Sequence, residues 1–289
     1  MSLGASLITK DQNLEKERYR NRHRSLIVAK KGAFPGLFLI NAYGYKKPFG
    51  PPVLQISDDF WSWIEQKVKE NAEATIKIQT LRSKVKVFNV VAHLDGKQSE
   101  LSPLFITIPR SGWWQCASER GGGIAGFLEI MRTLCSISPR RNVIFLANTG
   151  HELGNFGMEH YINMHPTLVK DAKAWIHLGA NFAAVNLTQF RIKTPPLVVS
   201  QASDIEIQEL AHKCMSEEGY TPDLSMPIGE LPPRSEAQNI HDGGGRYFFL
   251  IGTNYLFHHP EDRWPKAVDI NKTVRIIRGL ISLAIKLSN

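Results

Sequence analysis

From Asn89 onward the chain is punctuated by short, almost uninterrupted apolar runs, "NVVAHL", "LFITI" and "NVIFLAN". Near-continuous runs of this length belong to strands buried on both faces. Between the second and third lies "GIAGFLEIMRTLC", with apolar residues at Ile124, Phe127, Leu128, Met131 and Leu134, the spacing of a helix. "AWIHLGA" and "YFFLIG" read as further core strands. "DIEIQELAHKCMSEEG" reads as a helix opened by Ser203 or Asp204 and closed by Gly219, and "VDINKTVRIIRGLISLAIKL" as a terminal amphipathic helix. Strands alternating with helices make a parallel sheet, so the expected fold is α/β, with a mainly parallel central sheet flanked by helices.

The first part of the chain has a different texture. "GLFLIN" and "VLQIS" read as short strands separated by the Gly- and Pro-broken loop "GYKKPFGPP". Asp58 is expected to cap the helix "DFWSWIEQKVKE", and "ATIKIQT" alternates with period two as a half-exposed strand does. Three segments follow: a basic stretch over 1–23, a small α/β subdomain over 24–86, and a large α/β domain over 87–289.

The chain of 289 residues, 43% hydrophobic and 21% charged, can bury a sizeable core. Between Lys10 and Lys31 there are eight Lys/Arg and three Asp/Glu, so that stretch carries +5 of the net +8. A solvated basic helix, "LEKERYRNRHR", accounts for it, and the aromatics elsewhere do not interleave with basic residues as a nucleic-acid stacking platform requires. Nucleic acid is therefore not an expected partner. No apolar run reaches the length that spans a bilayer. The opening "MSLG" leads into polar sequence rather than a secretory leader, and localisation signals stay open, the cytoplasm being favoured. Cys116, Cys135 and Cys214 form no C-x-x-C pair, which suits a reducing compartment. Cys135 and Cys214 are expected to be buried on apolar helix faces.

In mainly parallel sheets, ligands sit beyond the carboxyl ends of the strands. Four loops there carry unusual chemistry: "PRSGWWQCASERGGG", "TGHELGNFG", "HLGAN" and "FHHPEDRWP". They supply Glu119, His151, Glu152, His177, His258 and His259 as metal ligands or proton carriers, since hydrolytic metal sites are built from imidazoles and carboxylates. Arg110 and Arg120 are candidates for a substrate carboxylate, or for ion pairs with Glu119 or Glu152. Trp113 and Trp114 either wall a substrate pocket or close the core. The glycines of "ERGGGIAG" read as close packing of loop on sheet rather than a phosphate cradle, for no Walker lysine accompanies them. Cys116 reads as an inert thiol. Asp262 is expected to fix its loop.

The order of these loops resembles the zinc aminopeptidases of peptidase family twenty-eight. There a strand ends in A-H-x-D, a G-A-D-D-N-A-S-G loop opens a helix, and later strands end in E-E-x-G-x-x-G-S, L-D-M and H-T-P-x-D. The counterparts here are "CASERGGGIAGFLEIMRTL", "HELGNFGM", "IHLGA" and "HHPED", with "SEAQNIHDGGG" where the family has S-D-H-x-x-F. The resemblance covers about residues 87 to 288, and the segment before it looks like part of a protease-associated domain. It implies two zinc ions sharing a carboxylate. Glu119 stands at the bridging position, Glu152 at the terminal carboxylate and His258 at the late histidine, which together make one zinc site. The second site is broken. Its histidine falls at Pro109, the Asp that orients that histidine at Ser111, its Asp ligand at His177, and the general-base Glu at His151. A rival alignment through "AHLDG" would restore the lost pair as His93 and Asp95, but leaves the strand "LFITI" without a place.

Two functions follow. One is a hydrolase with a single zinc at Glu119, Glu152 and His258, acting on a peptide or small amide, with His151 and His177 carrying the proton and Arg110, Trp113 and Arg120 binding substrate. The alternative is a catalytically inactive relative that works by binding.

Overall fold

The computed structural model describes residues 12–39, 47–81, 83–187 and 194–289. After a basic helix α1 (Gln12–Arg20), strands β1 (Leu26–Ala29) and β2 (Val53–Ile56) pair in parallel as a small separate sheet, and helix α2 (Trp61–Lys69) follows. The rest builds one central sheet from β3 (Val90–Leu94), β4 (Leu104–Pro109), β5 (Val143–Asn148), β6 (Ala174–Leu178), β7 (Val198–Ala202), β8 (Leu224–Ser225) and β9 (Tyr247–Gly252). Among the described residues its strand order is β3-β5-β4-β6-β9-β7-β8. The four central strands β5, β4, β6 and β9 run parallel, while β3 and β7 are antiparallel to their central neighbours.

The period-two alternation of side chains sorts the core strands onto two faces. Leu104, Ile106 and Ile108 of β4 face one side, with Val143, Phe145 and Ala147 of β5. That side is covered by helices α3 (Gly122–Ile137), α6 (Ile205–Glu217) and α8 (Ile270–Ser288), through Phe127, Ile130 and Leu134, Ile207 and Met215, and Ile276, Leu280 and Leu283. Phe105, Ile144 and Leu146 face the other side, against α4 (Phe156–Met164), α5 (Leu168–Asp171) and α7 (Glu236–Asp242). There Phe105 and Trp175 stack with ring centroids 3.8 Å apart. Each large side chain buried in this way contributes about 1.5–3 kcal/mol.

Several local expectations change. Among the described residues Gly36–Leu39 and the stretch 74–80 form no strand; Ile40 and Asn41 of "GLFLIN" lie outside the described residues. The stretch 74–80 alternates correctly but finds no sheet edge, so periodicity alone did not make it a strand. Strand β3 is not doubly buried. It lies at the edge of the sheet, with Val90 56% exposed. Asp58 does not cap α2. Ser57 caps a preceding 3₁₀ turn by accepting from the Asp59 amide, and Asp58 accepts from the Gly36 amide at 2.8 Å. Cys214 is buried as expected, whereas Cys135 is exposed on the outer face of α3. Asp204, not Ser203, caps α6, and Gly219 leaves it at φ 70°. No described helix is long and apolar enough to cross a membrane.

Candidate functional site

Strands β4, β5, β6 and β9 point the same way, so their carboxyl ends deliver four loops to one edge of the sheet. The pairing of Pro109 with Asn148 marks that edge. His93 pairs with Ile144, near the opposite end of β5, which leaves the rival pair His93 and Asp95 away from it.

Glu119 lies in a wide helical turn, Ala117–Gly121, entered through Cys116 in the left-handed conformation. Asp262 holds that turn. Its carboxylate accepts from the Ser118 amide at 2.7 Å, the Ser118 hydroxyl at 2.6 Å and the Glu119 amide at 3.0 Å. Glu152 sits in the 3₁₀ turn His151–Leu153 directly after β5, bracketed by Gly150 and Gly154 at positive φ. His258 follows β9, its ring stacked on Phe257 at 3.7 Å with Trp113 edge-on at 6.5 Å. Nδ1 of His258 lies 3.0 Å from the Leu39 carbonyl. A carbonyl only accepts, so Nδ1 donates, which leaves Nε2 facing the carboxylates.

These three groups converge. Nε2 of His258 is 3.3 Å from Glu152 Oε2 and 3.7 Å from Glu119 Oε1, and one ligand atom of each lies within 4.8 Å of the other two. Donors around a tetrahedral zinc lie about 3.3 Å apart, from zinc–ligand distances near 2 Å. Both Glu119 oxygens, Glu152 Oε2 and His258 Nε2 are buried and find no hydrogen-bond partner among the described residues. Buried polar atoms ordinarily find hydrogen bonds, so four that have none, gathered from three loops, fit a divalent cation.

Arg120 adds an unforeseen element. Its side chain is 2% exposed, so it cannot greet a substrate as a surface arginine would. Nη2 lies 2.9 Å from Glu152 Oε1 as a hydrogen bond, and 2.9 Å from Glu119 Oε1 as an ion pair without hydrogen-bond direction. Nε donates to the Ser111 carbonyl at 2.8 Å. Of the two readings of Arg120, pairing with Glu119 and Glu152 is the one this geometry supports. Burial raises the Glu119 carboxyl above its ordinary range against the pull of Arg120 and His258. Burial also acts to raise Glu152, but the close approach of the His258 imidazole, 3.3 Å away, and the charges of His151 and Arg120 bring it down to about 2. Burial, then the charge of Glu119, pushes the Cys116 thiol up to about 12, which leaves it without thiolate character.

A second cluster abuts the first. Nδ1 of His151 lies 3.0 Å from Oε1 of Glu236, the first residue of α7. His177 is fully buried in β6, with Nδ1 2.8 Å from Thr107 Oγ1 and Nε2 3.5 Å from Glu236 Oε2. Burial alone would raise the Glu236 carboxyl, but the charge and hydrogen bond of His151, then those of His177, hold it well below its ordinary range. Glu236 was not anticipated as a site residue. The cue was the acidic residue after Ser235 in "SEAQNIHDGGG", aligned with S-D-H. His177, expected to carry protons, lies near the carboxyl end of β6, fully buried, with its ring nitrogens toward Thr107 and Glu236.

Arg110 donates to the Phe88 carbonyl at the surface, so that contact engages it outside the cluster. Trp113 is half-buried beside His258, whereas Trp114 is 51% exposed. His259 turns away to the Pro35 carbonyl at 3.0 Å and is not part of the converging group.

A model of Peptidase family M28 matches residues 74–283, and the chain belongs to that family. The structure is similar to a peptidase M28 precursor from Shewanella amazonensis SB2B, with TM-score 0.67 and 14% identity over 92% of this chain and 60% of that one. It is also similar to the zinc aminopeptidase BSAP of Bacillus subtilis, with TM-score 0.58 and 16% identity over 68% of this chain and 49% of that one. A curated relative, the "Inactive zinc metalloprotease C354.09c" of Schizosaccharomyces pombe, is 23% identical over 176 residues, 56% of this chain. The chain spans only 22% of that relative's length.

Proposed function

We propose that this member of peptidase family M28 is a single-metal hydrolase of peptide or small amide bonds, holding one zinc ion between Glu119, Glu152 and His258. The observation that carries the reading is the convergence of four buried polar atoms without hydrogen bonds from three separate loops. Zinc bound there would supply Lewis acidity to the scissile carbonyl and a lower pKa to water.

The chain's own residues divide the remaining work. Glu119 and Glu152 are the charged ligands and His258 the neutral one, its tautomer set by the Leu39 carbonyl. Trp113 walls the site beside His258. His151 donates from Nδ1 to Glu236, which leaves Nε2 to accept a proton and pass it on. His177 and Thr107 fix the opposite side of Glu236, so His177 is a positioning residue.

A second reading, a relative that binds but does not cleave, is favoured by one observation: Arg120 already pairs with both carboxylates. Zinc analysis of protein purified without chelator separates the two. The hydrolase reading expects about one zinc per chain, a rise in melting temperature on adding zinc, and amide hydrolysis lost on chelation. Glu152→Ala and His258→Ala should each remove the zinc-dependent rise. Less than about 0.2 zinc per chain with no such rise would discard the hydrolase.

A further inference from the structure

We infer that Arg120 is a resident cation of this centre, which competes with the divalent ion for Glu119 and Glu152 and restricts the site to a single ion. The inference deepens the ligand assignment above and rests on it.

Two ionised carboxylates buried side by side need positive charge beside them. One Nη2 of Arg120 stands 2.9 Å from an oxygen of each, and the side chain is 98% buried by its own exposure of 2%. The guanidinium is anchored rather than free to swing aside. Nε is committed to the Ser111 carbonyl, and the aliphatic stem is held beside Gly112, where a Cβ would lie 3.4 Å from the Arg120 Cγ. Nη1 is buried and finds no hydrogen-bond partner among the described residues, so the cation's charge is not spent elsewhere. Burial alone would lower the Arg120 pKa, but the charges of Glu119, Glu152 and Glu236 raise it above its ordinary value. An arginine keeps its proton at any working pH, so this cation is permanent. A divalent ion entering among Glu119, Glu152 and His258 meets a fixed like charge already held at its own ligands. Its affinity is lowered accordingly, and a second ion next to the first finds the space electrostatically closed.

Zinc affinity and melting temperature of the full chain, measured with and without chelator, test this on Arg120→Met and on Arg120→Met/Glu152→Gln. In chelator, Arg120→Met should melt roughly 6–12 °C below wild type, because two buried carboxylates lose their cation. Zinc should bind that variant at least about tenfold more tightly than wild type. The double variant, with one carboxylate removed as well, should recover most of the chelator-state loss. Arg120→Met that melts with wild type in chelator, or binds zinc no more tightly, overturns the inference even if wild type binds zinc and the hydrolase reading stands. Wild type that binds no zinc while Arg120→Met does sinks the hydrolase reading and upholds the resident cation. If Arg120→Met is too unstable to purify without metal, a double variant that folds in chelator supports the inference, and one equally unfolded overturns it.

Discussion

The Nδ1 of His258 lies 3.0 Å from the carbonyl oxygen of Leu39, 219 residues earlier in the chain. A segment that precedes the central sheet thus sets the tautomer of the late histidine. The grip is reciprocal, since the Leu39 amide donates to the His258 carbonyl at 3.0 Å. His259 reinforces it from the next position by bonding the Pro35 carbonyl. The position of this clasp depends on Gly36, whose φ is 133° and where a Cβ would stand 2.3 Å from His259 Nε2.

Gly36→Ala should therefore displace the His259 ring and slacken the clasp on His258. Strain at positive φ plus the lost hydrogen bond amounts to about 2–4 kcal/mol. Denaturant titration should show that loss, and zinc affinity should fall with it because His258 is no longer held. Unchanged affinity in a destabilised variant would mean that the clasp holds the fold but not the ligand.

Asp262 tests the opposite loop. It accepts three hydrogen bonds from Ser118 and Glu119 while only 1% exposed. Asp262→Asn turns an amide group toward donors that need an acceptor. Leaving buried donors poorly matched to a lost charge costs about 3–5 kcal/mol. Equilibrium unfolding should show it, and the zinc-dependent rise in melting temperature should shrink because Glu119 is carried on that turn. A loss under about 1 kcal/mol would show that the turn is held by other means.

Gly123 decides what the glycine-rich turn is for. A Cβ there would lie 2.5 Å from Cδ1 of Ile108, the mobile end of a side chain on β4. Gly123→Ala should cost about 1–3 kcal/mol of overpacking in thermal or denaturant unfolding. Inorganic phosphate should give neither wild type nor variant any gain in melting temperature. A phosphate-dependent gain in wild type that the variant loses would restore the anion-cradle reading.

The legible parts of the fold were those whose physics is local. Strands β4, β5, β6 and β9 are apolar on both faces because helices cover both, and that shows as unbroken runs. The loops that carry Glu119, Glu152 and His258 were legible because each follows a strand end, whereas singling out these three among six candidates took the resemblance to the family. What stayed hidden needed three dimensions. The stretch 74–80 has strand periodicity but no partner edge, and β7 lies in a segment without a strong apolar run. The partner of Arg120 could not be chosen from sequence, since a surface arginine and a buried one are spelled alike. Glu236 was hidden for the same reason. A lone glutamate in "RSEAQ" gives no sign that two histidines, one from the turn after β5 and one from β6, close on it.

Glu236 also yields a pH dependence with a definite sign. Its carboxyl is held well below the ordinary value of 4.5, where burial is outweighed by His151 and His177. A carboxyl with a depressed folded pKa binds fewer protons in the folded state than in the unfolded one. Its contribution is therefore fully present above about pH 4.5 and drains away as pH falls toward the folded pKa. Glu236→Gln removes the charge and leaves two histidines facing an amide, so at neutral pH it should cost about 3–5 kcal/mol, as for breaking a buried pair. The gap between wild type and variant, followed by urea unfolding from about pH 6 down to about pH 3, should stay constant at first and then narrow. A gap that holds constant across the whole series, or widens with acid, would mean that Glu236 is not held as an anion by His151 and His177. His151 would then lack the carboxylate that orients it.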